Sequence, residues 1–164
     1  MNKLKGFNLV ADSNAEILIL GSMPSVKSLK LQQYYAHPRN LFWNFMGKLF
    51  DFNDDILYDQ KLRYLKKSKI ALWDVIYKCH REGSLDSKIK SVEVNDFISL
   101  FSVYQNIRTI CFNGKKAEEL FKRYVNKKIF IDDIKYYTLP STSPANASIN
   151  INTKFECWSI LLHN

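Results

Sequence analysis

The sequence predicts an α/β fold, a three-layer sandwich with a central four-stranded, mainly parallel sheet flanked by helices. Three observations predict it. Short, continuous apolar runs of the kind that make strands buried on both faces recur along the chain. Segments with apolar residues at helical spacing separate them. Loops rich in Gly, Pro, Asn and hydroxyl residues each follow a strand, where open parallel sheets bind their ligands. The chain has 164 residues, which fits a single domain over 1–164.

Glu16–Gly21, EILILG, is the first buried strand, closed by glycine. Leu41–Phe50 carries Phe42, Phe45, Met46 and Leu49 at helical spacing. A second helix is expected within Asp55–Lys67, opened by acids and closed by lysines in the sense the helix dipole favours. Ile70–Ile76, IALWDVI, is the second strand candidate, and Asn95 can cap a helix that carries Phe97, Ile98 and Phe101. Ile107–Phe112, IRTICF, is the third strand and runs through Asn113-Gly114 into a helix reaching about Tyr124. Ile134–Leu139, IKYYTL, is the fourth strand and stops at Pro140, and a closing helix is expected near Lys154–Leu162.

Lys and Arg number 24 against 16 Asp and Glu, a net charge of +8. Such an excess favours polyanions, because neutralised phosphates release condensed counterions. No apolar run approaches the ~20 residues of a membrane span, and the basic N-terminus lacks the apolar stretch and cleavage site of a signal peptide. Cys79, Cys111 and Cys157 are odd in number and widely spaced. That pattern points to free thiols in a reducing, cytoplasmic setting rather than to a disulfide framework or zinc site. His37, His80 and His163 show no ligand spacing. Neither a metal nor a cofactor is expected.

Four loops then carry the chemistry. In the first, GSMPSVKSLKLQQYYAHPRNLFW (Gly21 to Trp43), Gly21 and Pro24 make a tight, rigid turn, and Tyr34 or Tyr35 offers a flat face for a base. The same aromatics are equally suited to filling the core edge. In the second, Asp74 places a carboxylate at the end of a buried strand, where it either meets a ligand, caps the next turn or pairs with Arg81. In the third, Asn113-Gly114-Lys115-Lys116 opens a helix whose free N–H groups suit an anion, with Lys115 adding charge. No GxxxxGK[ST] phosphate loop is present. The fourth, LPSTSPANA (Leu139–Ala147), is stiffened by two prolines and rich in hydroxyls that can bind phosphate without reading sequence.

These segments together carry a resemblance. GSMPS followed by YYAHPRNLFW resembles the mismatch-specific uracil/thymine glycosylases. With ALWDV, the GSLDS of Gly83–Ser87 and LPSTSPANA added, the chain is closer still to the hypoxanthine-DNA glycosylases of the uracil-DNA glycosylase superfamily. The resemblance implies a monofunctional base-excision repair enzyme that flips a deaminated base out of damaged double-stranded DNA and leaves an abasic site. Related enzymes carry an acidic or amide residue third in the first turn to manage the attacking water; here that place holds Met23. The resemblance moves the catalytic role to Asn40, although an asparagine there is also a natural helix cap. It surrounds the base with Ser22, Met23, Tyr35, Phe42 and Asp74. It assigns DNA contacts to Arg39, Lys115, Ser141, Ser143, Pro144, Ala145 and Asn146, with the residue that fills the vacated stack drawn from Pro144–Asn146.

Asp74 gives a chemical reason for the base. A carboxylate accepts from the N1–H of hypoxanthine but repels the N1 lone pair of adenine, and the wrong base then leaves buried groups unpaired. The expected enzyme is thus a monomeric hypoxanthine glycosylase. The alternatives are a uracil/thymine mismatch glycosylase and, from another class, a nucleic-acid- or nucleobase-binding module that has lost turnover along with the polar residue at Met23.

Overall fold

Alternation along one strand sets the layers. In β2 (Ile17–Gly21), Ile17 and Ile19 enter one core while Leu18 and Leu20 enter another. Side chains two apart share a face of a strand, so a strand apolar on both faces must lie between two covering layers. The computed structural model, which describes residues 2–125, 129 and 132–163, has this architecture.

The main sheet is fully parallel, ordered β3-β2-β6-β7, with β3 (Ile70–Asp74), β6 (Thr109–Asn113) and β7 (Lys135–Leu139) joining β2. One face is covered by α2 (Phe42–Phe50), α3 (Tyr58–Lys67) and α6 (Ile151–Trp158), which bury Phe42, Phe45, Leu65 and Trp158. The other face is covered by α4 (Phe97–Val103) and α5 (Lys115–Tyr124), through Phe97, Leu100, Leu120 and Phe121. The expected sandwich is therefore observed. Its first covering segment is α1 (Val26–Leu31), a short helix not expected from sequence, capped by Ser25.

The second expected strand is corrected. Ile70–Ile76 does not run through: β3 ends at Asp74, and β4 (Ile76–His80) starts a separate antiparallel sheet with β1 (Lys3–Lys5) and β5 (Lys90–Val94), ordered β1-β4-β5. At the break, Val75 N donates to Gly21 O at 2.8 Å and Ile76 N to Ser22 O at 3.1 Å. The apolar run IALWDVI carries no Gly or Pro to mark it. Asn95 is corrected for the same reason. Asp96 caps α4, while Asn95 Nδ2 donates to Asp74 O at 2.7 Å and to Ile76 O at 3.3 Å. The amide satisfies carbonyls on both sides of the break, a task that needs a donor and is closed to a carboxylate. The closing helix begins earlier than expected, at Ile151, because Asn150 accepts from Thr153 N at 2.9 Å.

Candidate active site

The parallel register brings the strand ends level. Gly21 pairs with Asp74 and Asn113 with Leu139, so the four expected loops leave from one edge. A cavity of about 680 Å³ opens there, lined by residues from all four and also by Ser84–Ser87.

Its floor is built around a carboxyl. A Cβ at Gly21 would fall on Asp74 Oδ1 and lie 3.0 Å from the Tyr35 hydroxyl, so only glycine lets both groups pack on this turn. Asp74 is 3% exposed. Among the described residues, only three buried side-chain polar atoms lack a hydrogen-bond partner: Asp74 Oδ2, the Tyr35 hydroxyl and Arg81 Nη1. Two of the three, those of Asp74 and Tyr35, belong to side chains that meet at Gly21 and line the cavity, and an orphaned buried polar group costs about 1–3 kcal/mol and calls for an explanation. Burial, then the nearby Asp86 carboxylate, push the Asp74 carboxyl up to about 7, against a smaller pull from Arg81. Burial raises the Tyr35 hydroxyl well above its ordinary range, so it stays a donor.

Arg81 does not form an ion pair with Asp74. Its Nε donates to Gly83 O at 2.7 Å and its Nη2 to Pro24 O at 2.6 Å, tying the 83–87 segment to the first turn. Ser22 Oγ donates to Asp86 Oδ1 at 2.6 Å, and Val26 N to Ser84 Oγ at 2.9 Å. Ser22 is thus committed to Asp86, a carboxyl whose own value burial raises. Asp86 lines the cavity and was not among the sequence candidates; only its place in GSLDS signalled it. Met23 lines the same wall at 7% exposure.

Asn40 lines the cavity, and its Oδ1 accepts from Phe42 N at 2.9 Å. That bond fixes which atom is the oxygen and leaves one lone pair and the whole Nδ2 group facing other partners. The cap reading is thus corrected by one residue: Leu41 is the N-cap of α2, and Asn40, just before it, accepts from the first helical N–H, a bond compatible with a role in the cavity. Leu41 N donates to Thr142 O at 3.0 Å, joining this motif to the fourth loop. Tyr35 lines the cavity and stacks on Phe42 with centroids 4.2 Å apart and 28° between planes. Phe42 itself is fully buried and backs the Tyr35 ring instead of lining the space. Tyr34 belongs to the core, its hydroxyl donating to Asn8 O at 3.2 Å.

Lys115 stands exposed at the cavity edge as the first residue of α5, after Gly114. In the fourth loop, Ser141, Ser143, Ala145 and Asn146 line the cavity, while Pro144 and the exposed Arg39 do not. Asn113 and Thr142 bond reciprocally: Nδ2 donates to Oγ1 at 2.9 Å and Thr142 N to Oδ1 at 3.0 Å. Lys154 and Trp158 hold the loop from beneath; neither was a sequence candidate. Among the described residues no group of three or more His, Cys, Asp or Glu could hold a metal, and no helix is long and apolar enough to cross a membrane.

The fold and the site together are a parallel sheet with a cavity at its carboxyl edge, a buried carboxyl oxygen without a partner at its floor and a tyrosine stacked on a phenylalanine in its wall. Residues 7–162 match the family model described as the uracil DNA glycosylase superfamily, and the chain belongs to that superfamily. It is 43% identical over 162 residues to a hypoxanthine DNA glycosylase of Methanosarcina acetivorans, covering 97% of this chain and 98% of that one. A hypoxanthine DNA glycosylase of Methanosarcina barkeri is 45% identical over 118 residues, 71% of this chain and 75% of that protein. The solution NMR structure of a candidate uracil DNA glycosylase from M. acetivorans superposes with a TM-score of 0.84 at 41% identity, covering 99% of this chain and 98% of that one.

Proposed function

We propose that this chain is a monofunctional DNA glycosylase that hydrolyses the N-glycosidic bond of deoxyinosine, releasing hypoxanthine and leaving an abasic site. The relatives named hypoxanthine DNA glycosylase support the activity. The observation that carries the base is the orphaned Asp74 Oδ2 at the cavity floor. A flipped hypoxanthine supplies the missing partner, its N1–H donating to the carboxylate, while Tyr35, backed by Phe42, offers the stacking face. Base flipping is required because the bond is hidden in the duplex.

The bond breaks with an oxocarbenium-like sugar, so the site need not create a strong nucleophile. Asn40 aligns water through the lone pair left on Oδ1, and positioning with the charge of the DNA phosphates carries the rest. Met23 contributes shape and no proton chemistry. Ser141, Ser143, Lys115 and Arg39 meet phosphates of double-stranded DNA, and the residue that fills the vacated stack comes from Pro144–Asn146. The chain works as a monomer in the cytoplasm.

Uracil is the competing base, because its N3–H and O4 present the same lactam edge, and the matched NMR structure is of a candidate uracil glycosylase. Purified protein is assayed on duplexes bearing inosine, uracil, xanthine or a G·T mismatch, with alkali to break the abasic strand. Cleavage at inosine, and none before alkali, is expected. Cleavage at uracil without cleavage at inosine would transfer the assignment to the mismatch-type enzymes.

A further inference from the structure

Lys154 presents a charge that the cavity chemistry above leaves unused. It is a lysine at 3% exposure on α6. Its Nζ donates to Ser141 O at 3.0 Å and to Asn146 O, one carbonyl from each limb of the fourth loop. One turn further along the helix, Trp158 Nε1 donates to Pro140 O at 2.9 Å. Among the described residues Lys154 forms no ion pair. Burial lowers its pKa, as expected for an ammonium with only neutral partners.

A neutral donor would hold the same carbonyls without the cost of burying a cation. The charge therefore needs its own account, and the outer side of the loop offers one. Ser141 Oγ accepts from Ser143 N at 3.2 Å, and Ser143 Oγ accepts from Ala145 N at 3.2 Å. Both hydroxyls then have their O–H left to donate, and both line the cavity. A buried cation beneath a row of outward hydroxyl donors suits a polyanion's backbone.

We propose that Lys154 is a positioning residue that clamps the fourth loop and supplies the positive charge with which that loop receives a DNA phosphate. This rests on the reading that the chain acts on DNA. Lys154→Gln keeps an N–H donor without the charge, and Lys154→Arg keeps the charge. Affinity for an inosine duplex is measured between about 50 and 200 mM salt, where each phosphate neutralised contributes roughly 0.9 to the slope of log K against log salt. The Gln variant is expected to lose about one unit of that slope and roughly tenfold in affinity at the low-salt end, with the kinetic loss falling on KM more than on kcat. Arg restores the slope. A merely structural role lowers Tm and leaves the slope as it was, and an unchanged slope in the Gln variant overturns the proposal. Should that variant not fold, the ¹⁵N signal of the Lys154 ammonium in the unaltered protein is followed as duplex is added; no shift overturns it equally. A protein that binds DNA with the expected slopes yet leaves inosine uncleaved would instead overturn the base assignment alone.

Discussion

Asp74 sits where burial and a neighbouring carboxylate act in the same direction, so its ionisation falls at about 7, inside the working range of an enzyme. On the proposed reading, the ionised form accepts N1–H of hypoxanthine and rejects adenine. The neutral acid can donate to adenine N1 while its carbonyl accepts from the 6-amino group. Discrimination of inosine over adenosine is therefore expected to rise as pH climbs through about 7, checked by relative rates on the two duplexes from pH 5.5 to 8.5. Asp74→Asn, which is neutral and can face either way, should weaken discrimination and flatten that profile. Stability runs the other way. The folded-state value stands above the roughly 3.9 of an unfolded aspartate, so folding binds a proton, and the associated stability is full below about pH 4 and lost as pH rises through about 7. Asp74→Asn should accordingly raise stability at pH 8 by up to about 4 kcal/mol, at about 1.4 kcal/mol for each unit of the shift, and by less at pH 5, read from denaturant midpoints. Asn40→Ala separates two roles: losing the bond to Phe42 N costs about 1 kcal/mol, whereas losing the oxygen proposed to align water is expected to cost on the order of 10²-fold in kcat. A rate loss no larger than the stability change predicts would leave Asn40 with the bond to Phe42 N alone. Asp74 was legible because an acid closing a buried apolar strand is costly unless used. Asp86 and Lys154 were not, since each is made significant by partners 64 and 13 residues away.

Elements were legible where the chain's own period decides them and illegible where a distant segment does. The continuous apolar run Ile17–Leu20 and the helical spacing of Phe42, Phe45 and Met46 are local, and both the strand and the helix formed as expected. The break after Asp74 depends on backbone bonds to Gly21 and Ser22, more than 50 residues earlier in the chain, and no local pattern marks it. The same dependence makes the β6–α5 junction fragile. Gly114 has φ +93° and its N–H donates to Leu139 O at 2.9 Å, while a Cβ there would lie 3.1 Å from Ser141 Cβ. Gly114→Ala is thus expected to destabilise by about 1–3 kcal/mol through backbone strain, visible as a lower Tm. Because the new methyl meets Ser141, DNA affinity should fall as well. A lower Tm with unaltered affinity would uncouple the junction from the fourth loop.

Across the whole molecule, two cores grip the sheet from both faces and leave the carboxyl edge as the place where polar loops meet. The net charge of +8 raises the affinity for any polyanion, so it cannot by itself say where DNA lies; an arrangement that opposes the free protein's stability can. Lys115 and Lys116 open α5, at the positive end of the helix dipole, with Glu118 the sole acid in that first turn. A cation at this end is unfavourable by about 0.3–1 kcal/mol when nothing anionic is bound. A phosphate at the cavity edge would reverse that sign, meeting Lys115, the free N–H groups of the helix and the serine hydroxyls together. Lys115→Ala is therefore expected to leave Tm unchanged or slightly higher, while weakening duplex binding and reducing the slope of log K against log salt by about one. Arg39→Ala, outside the cavity lining, tests how far the contact surface extends beyond it, through the same slope. A Lys115 variant with lower Tm and full salt dependence would place the phosphate elsewhere.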